Sequence, residues 1–173
     1  VVAQRYRTRA IWHGDPESPV GKAMLNCDPN GPFSMMVTDI TVDPHAGDIA
    51  TGRIYSGKIG KSSKLKIIKG DRDINVQKVG IYMGPDFIDA DEVPAGNIAA
   101  IVGAKEIYAG QTIASEEITE FESFKTHIEP VMTVSIEAKN TKDLPKLIDV
   151  IKQLTKEDPN LRASINPETG EHL

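Results

Sequence analysis

Eight cations crowd into residues 52–78: Arg53, Lys58, Lys61, Lys64, Lys66, Lys69, Arg72 and Lys78, opposed only by Asp71 and Asp73. Side chains of this type at this density hold phosphate oxygens, and for a polyanionic partner the local field counts for more than net charge. The same block also reads as a solvated hairpin whose lysines keep exposed strand edges from pairing with other chains. Both readings are open on the residues alone.

Other strings invite catalysis and fail on spacing. Gly60-Lys61-Ser62 has the ending of a phosphate-binding loop, but Tyr55 stands where the leading glycine belongs. Between Gly14 and Gly21-Lys22 there are six residues instead of four, and Ala23 replaces the hydroxyl residue. Neither string can wrap backbone N–H groups around a phosphate in the usual geometry. Asp28-Pro29-Asn30-Gly31 reads as a β-turn with proline in second place. Asp86, Asp89, Asp91 and Glu92 would suit calcium, but counting from Asp89, Pro94 takes the sharp-turn glycine position and Ala100 the bidentate glutamate position. A carboxylate pair for acid–base work survives there as a third reading beside a plain surface loop. His13, His45, His127 and His172 are dispersed, with no metal-ligand spacing, and Cys27 reads as a small buried hydrophobe rather than a nucleophile. Trp12 and Tyr6, near Arg5, Arg7 and Arg9, would form either a stacking platform for RNA or the inward face of a strand.

The elements that must position these residues are strands as far as about residue 123. Residues 35–40, 49–55, 64–69, 74–82 and 98–102 are short and rich in β-branched side chains. Turn formers punctuate them at 28–31, 43–44, 69–71 and 94–97, which predicts a closed or sandwich-like antiparallel architecture. The stretch 111–126 is acidic. Beyond it the pattern becomes β-α-β: 131–137 alternates, and Leu144, Leu147, Ile148, Ile151 and Leu154 form a helical stripe. Asn140, Thr141 and Asp143 are its cap candidates, Pro145 falls in the first turn, and Lys156 and Pro159 mark the end. Residues 161–166 predict a second strand, and the turn at 166–170 leads into a third.

Composition closes off whole classes. The 173 residues are 39% hydrophobic and 26% charged with a formal charge of −5, which excludes disordered, collagenous and basic-tail chains. That charge hides blocks of +6 over 52–78 and −7 over 79–125. No run approaches the roughly 20 apolar residues that cross a bilayer, and one cysteine cannot make an internal disulfide; a cytoplasmic location is expected. A first residue other than Met and an abrupt end at Leu173 lead to the expectation that the chain is cut from something longer.

Several strings carry a family resemblance. Residues 21–32, Gly-Lys-Ala-Met-Leu-Asn-Cys-Asp-Pro-Asn-Gly-Pro, resemble the opening of the second domain of the elongation factor 2 family in its archaeal and eukaryotic form. Residues 50–57, Ala-Thr-Gly-Arg-Ile-Tyr-Ser-Gly, resemble a strand pair common to translational GTPases, and 94–98 a later barrel loop. Residues 137–140, 143–147, 156–159 and 165–172 resemble the start of that family's third domain. The matches are collinear over nearly the whole chain.

This resemblance implies a mostly β chain: a translation-factor antiparallel β-barrel over 1–123, a linker at 124–128, and over 129–173 the first half of an α+β ferredoxin-like domain. It implies a non-catalytic piece of a ribosomal translocation GTPase, with GTP and magnesium held by a domain outside this sequence and no cofactor here. The expected partners are the ribosome, its small-subunit RNA and the GTPase domain of the same polypeptide, with neither membrane nor DNA. Arg53, Lys58, Lys61, Lys64 and Lys66 are expected to face RNA phosphates, with the acidic stretch 86–92 on another face. The alternatives are an independent RNA-binding β-barrel of the translation apparatus and, last, a small acid–base enzyme using Asp89, Asp91 or Glu92.

Overall fold

Ten strands and two α-helices make up the regular structure of the residues that the computed structural model describes, namely 11–43, 46–70, 72–104, 107–122, 132–158 and 161–163. The chain divides into two compact units, Val1–Phe124 and Lys125–Leu173.

In the first unit a long hairpin, β1 (Ser34–Asp43) and β2 (Gly47–Ser56), sits at the middle of an eight-stranded antiparallel sheet. The others are β4 (Lys64–Ile67), β5 (Arg72–Asn75), β6 (Lys78–Met83), β7 (Asp86–Ala90), β9 (Ile98–Val102) and β10 (Thr112–Ala114), in the order β5-β4-β10-β1-β2-β9-β6-β7. A separate ribbon pairs β3 (Lys58–Gly60) with β8 (Glu92–Pro94). Ile74 of β5 and Val79 of β6 lie in one buried core with Met35, Val37, Ile54, Ile101 and Ile113, and Ala90 of β7 packs against it. A flat sheet cannot bring its first and last strands to the same core, so the sheet is curled into a barrel. Ile59 of β3 and Val93 of β8 are buried in that core too, so the ribbon forms part of its wall.

The outer side of β1 and β2 is also covered. Met36 and Tyr55, alternating with core residues, pack with Trp12, Met24 and Phe121 in a second cluster. Met24 comes from α1 (Pro19–Asn26), which the strand-only reading of this half did not contain. Its start combines two signals: Ser18 Oγ accepts the Gly21 N–H at 3.0 Å, and Pro19 occupies the first turn where no N–H is needed. Cys27 is half-buried at the helix C-cap with φ 55°, not a core hydrophobe; its N–H reaches back to the Met24 carbonyl at 3.2 Å. Trp12 takes the inward packing and not the stacking platform. Its Nε1–H donates to the Thr119 carbonyl at 2.7 Å. Tyr6, Arg5, Arg7 and Arg9 lie outside the described residues.

Two strand expectations change. The run 74–82 is two strands, because Val76 N–H turns to the Ser63 carbonyl and Gln77 N–H to the Val102 carbonyl, so the chain exchanges β4 for β9 as its neighbour. The acidic stretch 86–92 is not a loop but β7 and the start of β8.

In the second unit a 3-10 turn, Thr141–Asp143, leads into α2 (Leu144–Glu157). Pro145 falls in its first turn and Lys156 in its last, as the sequence predicts. Asp143 precedes the helix without a side-chain cap bond; Asn140 Nδ2–H instead donates to its carboxylate at 3.2 Å. Leu144, Leu147, Ile148 and Ile151 are half-buried. Of the strand expected at 131–137, the described residues 132–137 hold only an isolated bridge residue, Ile136, and residue 131 lies outside the described residues. Residues 161–163 are likewise in no strand, and the rest of the expected second and third strands lies outside the described residues. Among the described residues no helix is long and apolar enough to cross a membrane.

Candidate nucleic-acid interface

The five cations expected to act together occupy three different settings. Lys64 and Lys66 alternate along β4 with buried Leu65 and Ile67, so the two lysines face outward and are exposed. Directly opposite them on β5 stand Asn75 and Asp73. Lys69, in the turn that joins these strands, is exposed as well. Arg53 belongs to the outer face of β2, its guanidinium 5.6 Å from the Tyr55 ring centre, within the range of a cation–π contact.

Lys58 and Lys61 do not stand clear of the acidic stretch. Pairing of β3 with β8 sets Gly60 opposite Glu92 and Lys58 opposite Pro94. Lys58 Nζ is 2.9 Å from Glu92 Oε2. Lys61 Nζ lies 3.2 Å from Asp91 Oδ1 and 3.6 Å from Asp89 Oδ1. The expectation that residues 86–92 occupy another face is therefore wrong for this half of the patch. Strand pairing between segments about thirty positions apart in sequence, Lys61 and Asp91, brings opposite charges together.

These ion pairs decide two chemical questions. The hydrogen bond to Asp91 and the charge of Asp89 hold the Lys61 ammonium above its ordinary pKa of 10.5, against a smaller opposing effect of burial. Gly60-Lys61-Ser62 has its donors engaged inside the fold: Gly60 N–H points to Ser63 Oγ at 3.3 Å and Ser62 N–H to the Val76 carbonyl at 2.9 Å. The carboxylates of the acid–base reading are open to solvent: the side chains of Asp91, Glu92 and Asp89 are 98%, 58% and 48% exposed, and each faces a lysine ammonium. Among the described residues no three potential metal ligands come together.

A pH dependence follows from Lys61. A folded-state pKa raised above the unfolded value contributes stability that is complete below the unfolded pKa and disappears as pH rises through the folded one. The thermal midpoint of the first unit should therefore exceed that of a Lys61→Met variant at pH 7 to 9, and the gap should close above about pH 10.5. A gap that widens with alkalinity would remove the ion pair from the account. Paired melts across that range measure it.

The geometry has a counterpart in known proteins. Residues 32–116, which hold the ten strands of the described residues, match the family described as Elongation factor G domain 2, and 128–173 match Elongation Factor G, domain III. Elongation factor 2 of Methanosphaerula palustris is 54% identical over 173 residues, covering 99% of this chain and 24% of that protein. Elongation factor 2 of Archaeoglobus fulgidus is 52% identical over all of this chain, again 24% of that protein. The corresponding figures for Methanopyrus kandleri are 53%, all of this chain and 14%. The chain belongs to the elongation factor 2 family.

It spans a quarter or less of the length of these relatives. Within the elongation factor 2 frame the barrel corresponds to the second domain and α2 to the third. The string 50–57 that carried the resemblance now has a physical content. Gly52 lies where β1 and β2 approach closely, and Gly57 turns the chain at φ 73° with the Phe33 backbone in the space a side chain would need. Lys69, Arg72 and Lys78 belong to the same basic block but not to the expected five; of these, Lys69 stands in the Lys69-Gly70 turn of the hairpin that carries Lys64 and Lys66.

Proposed function

We propose that this chain is a non-catalytic, ribosome-binding part of a translocation GTPase, acting in the cytoplasm. The second-domain barrel docks on the GTPase domain and meets small-subunit ribosomal RNA, with a linker at 124–128 between domains 1–123 and 129–173. GTP and magnesium belong to a domain that this sequence does not include. Arg53, Lys58, Lys61, Lys64 and Lys66 are not equivalent in this reading. Lys64 and Lys66, outward on β4 and joined by Lys69, are the phosphate contacts, with Asp73 across from Lys66 on β5; Lys58 and Lys61 are held by Glu92, Asp89 and Asp91. The observation that carries it is the outward, exposed pair on β4 in a domain of the elongation factor 2 family.

Charge reversal separates the two groups. In the full-length factor, Lys64→Glu with Lys66→Glu is expected to weaken ribosome binding about tenfold or more and to flatten the salt dependence by about one to two released counterions. Lys58→Glu with Lys61→Glu should change both by less than about twofold at the same ionic strength. Sedimentation binding at several salt concentrations measures this. Equal losses from both pairs would return the patch to its five-residue form, and no loss from either would discard the RNA contact.

A further inference from the structure

The β6–β7 hairpin ends in apolar side chains on both faces, at an open edge. The sheet order stops at β7, so that among the described residues its far side has no strand beside it. Cross-strand register assigns the faces. Tyr82 stands opposite Phe87 on the outer one, their rings 5.7 Å apart and edge to face at 80°. Ile81 opposite Ile88 and Met83 opposite Asp86 lie on the inner one. Val79 and Ile81 reach the barrel core, but Met83 and Ile88 run past it and remain 61% and 42% exposed. Outside, Phe87 rests on Ile49, Ala100 and Val102, while Tyr82 is 37% exposed. A strand edge that only meets water is blunted by polar groups; here the two aspartates, Asp86 and Asp89, flank a pair of apolar residues, and Ile88 of that pair stays 42% exposed.

We propose that β7 is a docking edge for an extended, basic protein segment, which adds to the sheet as a further strand. Main-chain groups of β7 supply the pairing, and side chains supply the selection. Along β7 the order is Asp86, Phe87, Ile88, Asp89: acid, apolar, apolar, acid. The complementary segment carries two adjacent apolar residues between two lysines or arginines, a pattern that fits in either direction. Charge excludes nucleic acid. Asp89 and Asp91 share the single ammonium of Lys61 at one end of β7, and Asp86 adds a further negative charge at the other, so the edge repels phosphate. The edge is distinct from the Lys64–Lys66 hairpin, and its occupancy does not depend on the RNA reading.

The test uses the whole chain and three probes: a peptide containing Thr-Lys-Val-Ile-Lys-Thr, its charge-swapped form Thr-Glu-Val-Ile-Glu-Thr, and an oligouridylate. Backbone amide shifts are followed by NMR. The basic peptide is expected to give saturable shifts centred on residues 79–90, and Asp86→Lys, at an exposed position, to weaken it about tenfold. Ile88→Thr should weaken it as well, while Lys64→Glu leaves it unchanged. Equal binding of the acidic peptide, hairpin shifts caused by the oligouridylate, or basic-peptide shifts centred elsewhere would each overturn the proposal. Hairpin shifts that follow protein concentration alone would assign the edge to a second copy of the chain and overturn it too.

Discussion

Replacing Phe121 by alanine is expected to lower the unfolding free energy of the first unit by about 3–5 kcal/mol. Phe121 is 2% exposed, with its ring 4.7 Å from that of Tyr55, and it packs with Trp12, Met24 and Met36. Its contribution is not only apolar area. The main chain at Phe121 bridges to Trp12, Glu122 N–H donates to the Ile11 carbonyl at 2.6 Å, and Phe121 N–H donates to Thr112 Oγ1 at 2.9 Å. The segments 11–13 and 119–122 are thereby tied together outside β1 and β2, with His13 and Glu122 adding an exposed ion pair at 3.5 Å. Alanine keeps the backbone bonds but opens a cavity beside Trp12, and water entering it competes for the Trp12–Thr119 bond. Trp12 is the only tryptophan, so urea unfolding followed by its fluorescence reports this unit alone. Phe121→Leu should lose much less, because it refills most of the cavity. A loss below about 1 kcal/mol for the alanine variant would mean that the site collapses around the deletion.

How far the sequence showed this arrangement depended on range. Residues 35–40 and 98–102 become β1 and β9 because alternation and β-branching act within a few residues, and the helical stripe of α2 is local in the same sense. The break between β5 and β6 left no local trace. Ile74, Val76, Val79 and Ile81 are all apolar, and only the change of hydrogen-bonding neighbour at Val76 and Gln77 divides the run. α1 was obscured by Gly21, a poor helix former, although Ser18-Pro19 was a readable start signal. Gly21 is there because a side chain would strike the backbone of Asp15 and Pro16. For the site, sequence showed which cations exist but not which are neutralised. Lys58 meets Glu92, and Lys61 meets Asp89 and Asp91, through the pairing of β3 with β8, two three-residue strands whose register no periodicity specifies.

Gly52→Ala is expected to be as damaging as the loss of a core aromatic, through the opposite mechanism. Gly52 lies on β2 between β1 and β9, opposite Val37 and Ala99, next to a register shift between Val37 and Asp39. Its φ lies outside the left-handed range, so conformational freedom is not the reason for glycine. Space is. A Cβ there would overlap the Met36 carbonyl oxygen, with Met36 C at 2.9 Å and Met35 Cε at 2.8 Å. The methionine methyl can swing aside, but the carbonyl cannot move without parting β1 from β2 at the centre of the barrel. Overpacking of a core costs about 1–3 kcal/mol when side chains absorb it, so a clash with main chain should reach or exceed the top of that range. Gly84→Ala is the control, because Gly84 has φ 64° and nothing within 4 Å of its added Cβ. It should lose only about 1 kcal/mol, from backbone strain alone. Urea unfolding of both variants measures the difference. Comparable losses would place the cost of Gly52 in conformation after all, and amide exchange along β1 and β2 would then remain at its original rates.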